Sequence, residues 1–118
     1  MQMLGASLVS VKEGEVIITC EHQQKLTQQN GFFHAGVLTS LVDSACGYAA
    51  LTMMPENADV LSVEFKMNLL RPATTKKIIA IGKVIKAGKS ITVCEGTVMD
   101  EKEEKILCKM LATMFCSQ

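Results

Sequence analysis

The sequence predicts an α+β domain: an antiparallel sheet wrapped around one long central helix, in the order β-β-α-β-β-β-β. Three observations lead there. One stretch, residues 37–53, carries helical apolar periodicity. Runs rich in β-branched residues lie on both sides of it, and the runs after it are joined by short polar connections.

The elements follow in order. Residues 8–11 and 16–20 are β-branched runs separated by Lys12-Glu13-Gly14-Glu15, which reads as a hairpin. Residues 22–33 are polar and contain Asn30-Gly31, so they read as a loop with at most one helical turn. From His34 the period changes. Val37, Leu38, Leu41, Val42, Ala45, Cys46, Ala49, Ala50 and Met53 recur as pairs four apart, the mark of an amphipathic helix closed by Pro55 and Asn57. Four strands are expected after it, at 60–70, 77–86, 89–99 and 105–115. Their turns fall at Arg71-Pro72, Ala87-Gly88 and 100–104, and the connections predict an antiparallel meander.

At 118 residues the chain has room for one domain, 1–118. Twelve Lys+Arg balance twelve Asp+Glu, which argues against nucleic acid and against an anionic membrane surface. The composition is 48% hydrophobic, more than a domain of this size readily hides, so self-association is expected. No signal peptide and no apolar run of about 18 residues is visible, so the cytoplasm is the default expectation. Five cysteines without CxxC spacing and two histidines assemble no zinc pattern; buried, reduced thiols are the plain reading.

The helix carries the informative residues. Asp43 falls about 150° from the centre of the apolar face, with Gly36, Ser40 and Gly47 beside it. Each glycine inside a helix costs about 1 kcal/mol against alanine, so a flank of small residues suits close approach by a ligand or another backbone. Two readings of Asp43 are open: a solvated polar residue, as most aspartates are, or a partly desolvated carboxylate facing something from outside the chain. Ahead of it, small residues at Ala35 and Gly36 keep the first amides of the helix accessible, a place suited to an anion or a developing oxyanion; the plain alternative is an ordinary helix start with His34 near the cap. His34 lies about 18 Å of helical rise from Cys46 and about 13 Å from Asp43, so neither a Cys–His pair nor a Ser–His–Asp triad forms within one chain.

The segment NGFFHAGVLTSLVDSACGYAA, residues 30–50, resembles the signature of PaaI-like hotdog-fold thioesterases. That family opens its central helix with H-G-G and carries L-[AV]-D-x-A nine residues later; His34-Ala35-Gly36 and Leu41-Val42-Asp43-Ser44-Ala45 match at that spacing. Leu61-Ser62-Val63-Glu64-Phe65, Leu70-Arg71-Pro72-Ala73 and Gly88-Lys89 resemble its following strand and a later turn. The resemblance implies a hotdog fold and hydrolysis of acyl-CoA, with Asp43 as general base or nucleophile. It implies that the amide at Ala35, with Gly36 beside it, polarises the thioester carbonyl from a partner subunit, and that Ser62 helps place water. Homodimers or homotetramers are expected, with no metal and no cofactor beyond the coenzyme A of the substrate. Where many members have Asn six residues before the histidine, this chain has Gln28, with Gln29 and Asn30 following; one of these three amides, Gln28 first, is expected to orient water or the carbonyl, and Asn30 and His34 are candidates to bind substrate. Lys86 and Lys89 are candidates for the phosphates of coenzyme A. A helix that family members often have before Leu4 is not found at the start of this sequence. Two alternatives keep the fold: a hotdog-type hydratase, or a non-catalytic acyl-CoA-binding or oligomerisation module.

Overall fold

The computed structural model describes residues 6–21 and 33–117. Among these residues six strands and one helix appear in the expected order: β1 (Ala6–Lys12), β2 (Glu15–Glu21), α1 (Ala35–Leu51), β3 (Asp59–Leu69), β4 (Lys77–Ala87), β5 (Ile91–Asp100) and β6 (Ile106–Ser117). β1 and β2 form the expected hairpin, with Gly14 at a positive φ of 80° in its turn, a conformation that glycine adopts without a steric penalty.

The expected meander is corrected. The strands lie in the order β1-β2-β4-β5-β6-β3, all antiparallel, so β3 pairs with β6 rather than with β4, and β4 pairs with β2. The reason lies in the helix. α1 crosses the sheet between β2 and β3 and delivers them to opposite sides of its own axis. Residues 70–76 then return the chain to β2, and β4, β5 and β6 fill the space between. A true meander covers these last three strands only. The sheet thereby cradles α1 from both sides.

The predicted apolar stripe is the buried face of α1: Val37, Leu38, Leu41, Val42, Ala45, Cys46, Ala49 and Ala50. Met53 is the exception, lying beyond the helix end and 41% exposed. The Thr52 hydroxyl ends the helix by donating to the Ala49 carbonyl at 2.6 Å and accepting the Gly14 N–H at 2.7 Å, which ties the helix end to the β1–β2 turn.

α1 lies against β4 and β5 so closely that side chains are excluded beneath it. Gly82 and Gly96 are register partners. A Cβ on Gly82 would overlap the backbone of Ala45 and Cys46, and one on Gly96 would overlap the Val42 side chain. Four of the five cysteines are buried and Cys116 is half-buried; all are free thiols, as expected. Among the described residues no helix is long and apolar enough to cross a membrane.

Candidate active site

Asp43 is half-buried on the flank of α1 that turns toward β3. There the Ser62 hydroxyl donates a hydrogen bond to Asp43 Oδ1 at 2.8 Å, and Ser62 Oγ lies 3.4 Å from the sulfur of buried Met114. β3 delivers Ser62 because its ladder with β6 pairs Ser62 with Met114, a core-facing position. The sequence thus places an acid on the helix and a hydroxyl on the neighbouring strand, and the sheet order brings them together across 19 residues. One turn earlier the Thr39 hydroxyl contacts the Met67 sulfur of the same strand at 3.1 Å.

The other flank residues leave room. A Cβ added at Gly36 would meet nothing within 4 Å, and one at Gly47 would meet the Val60 side chain at an ordinary 3.8 Å. Neither glycine is required by packing within the described chain, unlike Gly82 and Gly96. At the start of α1, His34 occupies the N-cap with extended backbone (φ −66°, ψ 144°) and makes no side-chain capping bond. No acidic residue occupies the first turn, and His34, Ala35 and Gly36 are exposed. The helix N-terminus therefore presents its positive pole to whatever approaches it. A cleft of about 430 Å³ opens beside it, walled by Phe33, Ala35, Leu38, Leu69 and Arg71 among others. Phe33 is buried there and donates its N–H to the Ala73 carbonyl at 3.1 Å.

Asp43 stands seven residues after Gly36 on nearly the same face, about 10 Å along the axis. That is too far for one chain's carboxylate and first-turn amides to act on one carbonyl. Lys86 and Lys89 are exposed at the end of β4 and in the β4–β5 turn. This is the end of the sheet where Val84 bonds Gly14 and where α1 terminates, so within one chain they are not brought near Ala35. Gln28, Gln29 and Asn30 lie outside the described residues. Sequence reasoning assigned no part to Thr39, Met67 or Phe65; their place beside the site depends on the β3–β6 register, which the sequence does not display.

The thiols are chemically quiet. Burial, followed by the neighbouring Cys94, Asp43 and Glu95, pushes the Cys46 thiol far above its usual value. Burial raises Cys94 to about 11. Both thiols are protonated near neutrality, which suits core residues and not nucleophiles. Among the described residues no three His, Cys, Asp or Glu side chains gather as a metal site would require.

Known proteins match this arrangement along most of its length. The thioesterase superfamily model matches residues 30–107. A 1,4-dihydroxy-2-naphthoyl-CoA hydrolase from Listeria monocytogenes is 30% identical over 107 residues, 91% of this chain and 86% of that protein. The crystal structure of a thioesterase family protein from Silicibacter pomeroyi is 39% identical and superposes with a TM-score of 0.95, covering 99% of this chain and 88% of that one. The PaaI protein of the phenylacetic acid degradation operon of E. coli, 21% identical, shares the fold with a TM-score of 0.88 over 97% of this chain and 80% of its own. With one helix held in a six-stranded antiparallel sheet among the described residues and a family match spanning most of its length, the chain belongs to the thioesterase superfamily: it is a hotdog-fold thioester hydrolase.

Proposed function

We propose that the protein hydrolyses acyl-CoA thioesters to the free acid and coenzyme A in the cytoplasm, with Asp43 as the reacting carboxylate. The observation that carries this reading is the Ser62–Asp43 hydrogen bond beside a flank of the helix that its own chain leaves open. Ser62 holds Oδ1 and leaves Oδ2 for the reacting atoms. Acting as general base, Asp43 takes a proton from water, the hydroxide adds to the thioester carbonyl, the C–S bond breaks, and the thiolate of coenzyme A leaves with the proton. Acting as nucleophile, Oδ2 adds to the carbonyl, the C–S bond breaks and coenzyme A leaves as its thiolate; water then cleaves the acyl–Asp43 anhydride, restoring the carboxylate, releasing the free acid and supplying the proton the thiolate takes up. The carbonyl oxygen, negative in either transition state, is met by the Ala35 amide at a helix N-terminus. The name of the Listeria relative, a naphthoyl-CoA hydrolase, supports acyl-CoA as the substrate class.

The separation along α1 requires the amide and the carboxylate to come from two chains. We therefore read the active form as a homodimer, or a tetramer of such dimers. β3 is an edge strand with Leu61 and Val63 exposed, an apolar edge that a second copy would cover. His34 stays at the helix start, and Gln28 and Asn30 precede it, as candidates to orient water or substrate. Lys86 and Lys89 are candidates for the phosphates through a partner chain whose direction is reversed. The reaction so written uses water and protein groups alone.

Asp43→Asn is expected to lower thiol release from acyl-CoA by at least about 10³-fold with the fold unchanged, the scale of a lost general base. Ala35→Pro removes the amide at a position where proline is well accommodated, because His34 before it is already extended. Each variant alone is expected to be nearly inactive. Mixed and reassociated, they form heterodimers with one intact composite site, and activity returns. Failure of the mixture to recover, with exchange of subunits demonstrated, sinks the two-chain site; wild-type rates in Asp43→Asn sink the mechanism.

A further inference from the structure

From Leu61 to Leu69 the sequence of β3 alternates apolar and polar residues without a break, LSVEFKMNL. In a regular strand Ser62, Glu64, Lys66 and Asn68 would share one face. The ladder with β6 departs from this. Ser62 pairs with Met114 and Glu64 with Thr113, so Val63 is an extra residue, a β-bulge. Beyond it the two faces exchange. Phe65, Met67 and Leu69 pair with the buried Ala112, Met110 and Cys108, while Glu64 accepts a hydrogen bond from the exposed-side Thr113 hydroxyl at 2.8 Å.

The next helix-side residue after Ser62 is therefore Phe65 and not Glu64, about 7 Å further along the strand. The contacts on either side of it are Ser62 to Asp43 and Met67 to Thr39, so Phe65 is bracketed along the flank that carries the carboxylate. Yet it remains 42% exposed while Ala112, its register partner, is fully buried. An aromatic side chain thus stands on the reaction side of an edge strand, one inward position from the group that holds Asp43, and its own chain covers it only in part.

We infer that Phe65 is a specificity-determining wall for the acyl group, favouring a planar aryl thioester, and that the bulge at Val63 puts it there in place of the Glu64 carboxylate. The inference rests on the thioesterase reading above. A flat ring beside Phe65 gains the geometry-dependent part of an aromatic pair in addition to apolar contact, whereas a straight alkyl chain gains only the contact.

The test compares benzoyl-CoA with hexanoyl-CoA by thiol release in the wild type, Phe65→Leu, Phe65→Tyr and Glu64→Gln. Phe65→Leu is expected to lower kcat/KM for benzoyl-CoA about tenfold and for hexanoyl-CoA less than threefold, within the reach of one aromatic pair. Phe65→Tyr is expected to keep the wild-type ratio, and Glu64→Gln to leave both rates within about twofold. The ratio is read inside each sample, so a smaller folded or assembled fraction cancels. Equal losses on both substrates in Phe65→Leu, no loss on either, or a ratio shifted as far by Glu64→Gln would overturn the wall. A wild type inert toward all acyl-CoA thioesters would instead overturn the hydrolysis reading beneath it; active wild type with an unmoved ratio removes the wall alone.

Discussion

The two sides of α1 are finished in opposite ways. Toward β4 and β5 the helix sits on the paired Gly82 and Gly96, with Ala45 and Cys46 fully buried and no space for one more methyl group. Toward β3 it carries Gly36 and Gly47, beside which a methyl group meets nothing or only ordinary contact, together with the half-buried Asp43. The same residue type therefore has two meanings on one element. A glycine under the helix is dictated by packing within the chain; a glycine on the helix flank is not, and its helical cost points to something supplied from outside.

Substitutions can break that contrast. The largest effect is expected for Gly82→Val, where the side chain must displace helix backbone rather than a flexible tip: a loss of at least about 3 kcal/mol in urea unfolding, or no folded protein. Ser62→Ala removes a hydrogen bond to the carboxylate from an exposed site; it is expected to reduce thiol release about tenfold while leaving the melting temperature within a few degrees. Gly47→Ala sharpens the contrast because its two readouts move in opposite directions. Helix propensity is expected to raise stability by about 0.5–1 kcal/mol, while hydrolysis falls as the open flank fills. Stability and rate rising together would show the flank to be ordinary helix surface.

The smallest effect comes from the closed side and is read by pH. Burial raises the Cys94 and Cys108 thiols from 9.0 to about 11. Below pH 9 both folded and unfolded chains keep these protons, and their full contribution is present. Above it the unfolded chain loses them first, so stability is expected to fall from pH 9 toward 11. Cys94→Val should flatten part of that decline in melts recorded across the range; an unchanged slope would place the alkaline loss elsewhere.

What the sequence displayed and what it hid divide along the range of the interactions. The helix was legible because its eight buried residues repeat at a local period, and the hairpin because Gly14 marks its turn. Strand positions were legible to within about two residues. Strand order was not: pairing of β2 with β4 joins residues some sixty positions apart, and neighbours in sequence are the natural first expectation. The candidate site was legible in part. Asp43 stood out because glycine and serine surround it, and the family signature drew in Ser62, whose bond to Asp43 the fold supplies. The place of Phe65 was hidden by the very regularity of LSVEFKMNL, since an unbroken alternation gives no sign of a bulge. Lys86 and Lys89 show the limit of charge as a guide: sequence offers cations, but only the topology says at which end of the sheet they stand.

The late closure of β3 has a kinetic consequence. Its partner β6 lies some fifty residues downstream, so during synthesis and early folding the strand has neither ladder edge satisfied. Such distant pairing places the protein among slow folders, on the scale of milliseconds to seconds, and leaves an apolar strand open to wrong partners meanwhile. Glu64, Lys66 and Asn68, spaced through that strand, interrupt its apolar run, the pattern by which polar residues discourage such mispairing.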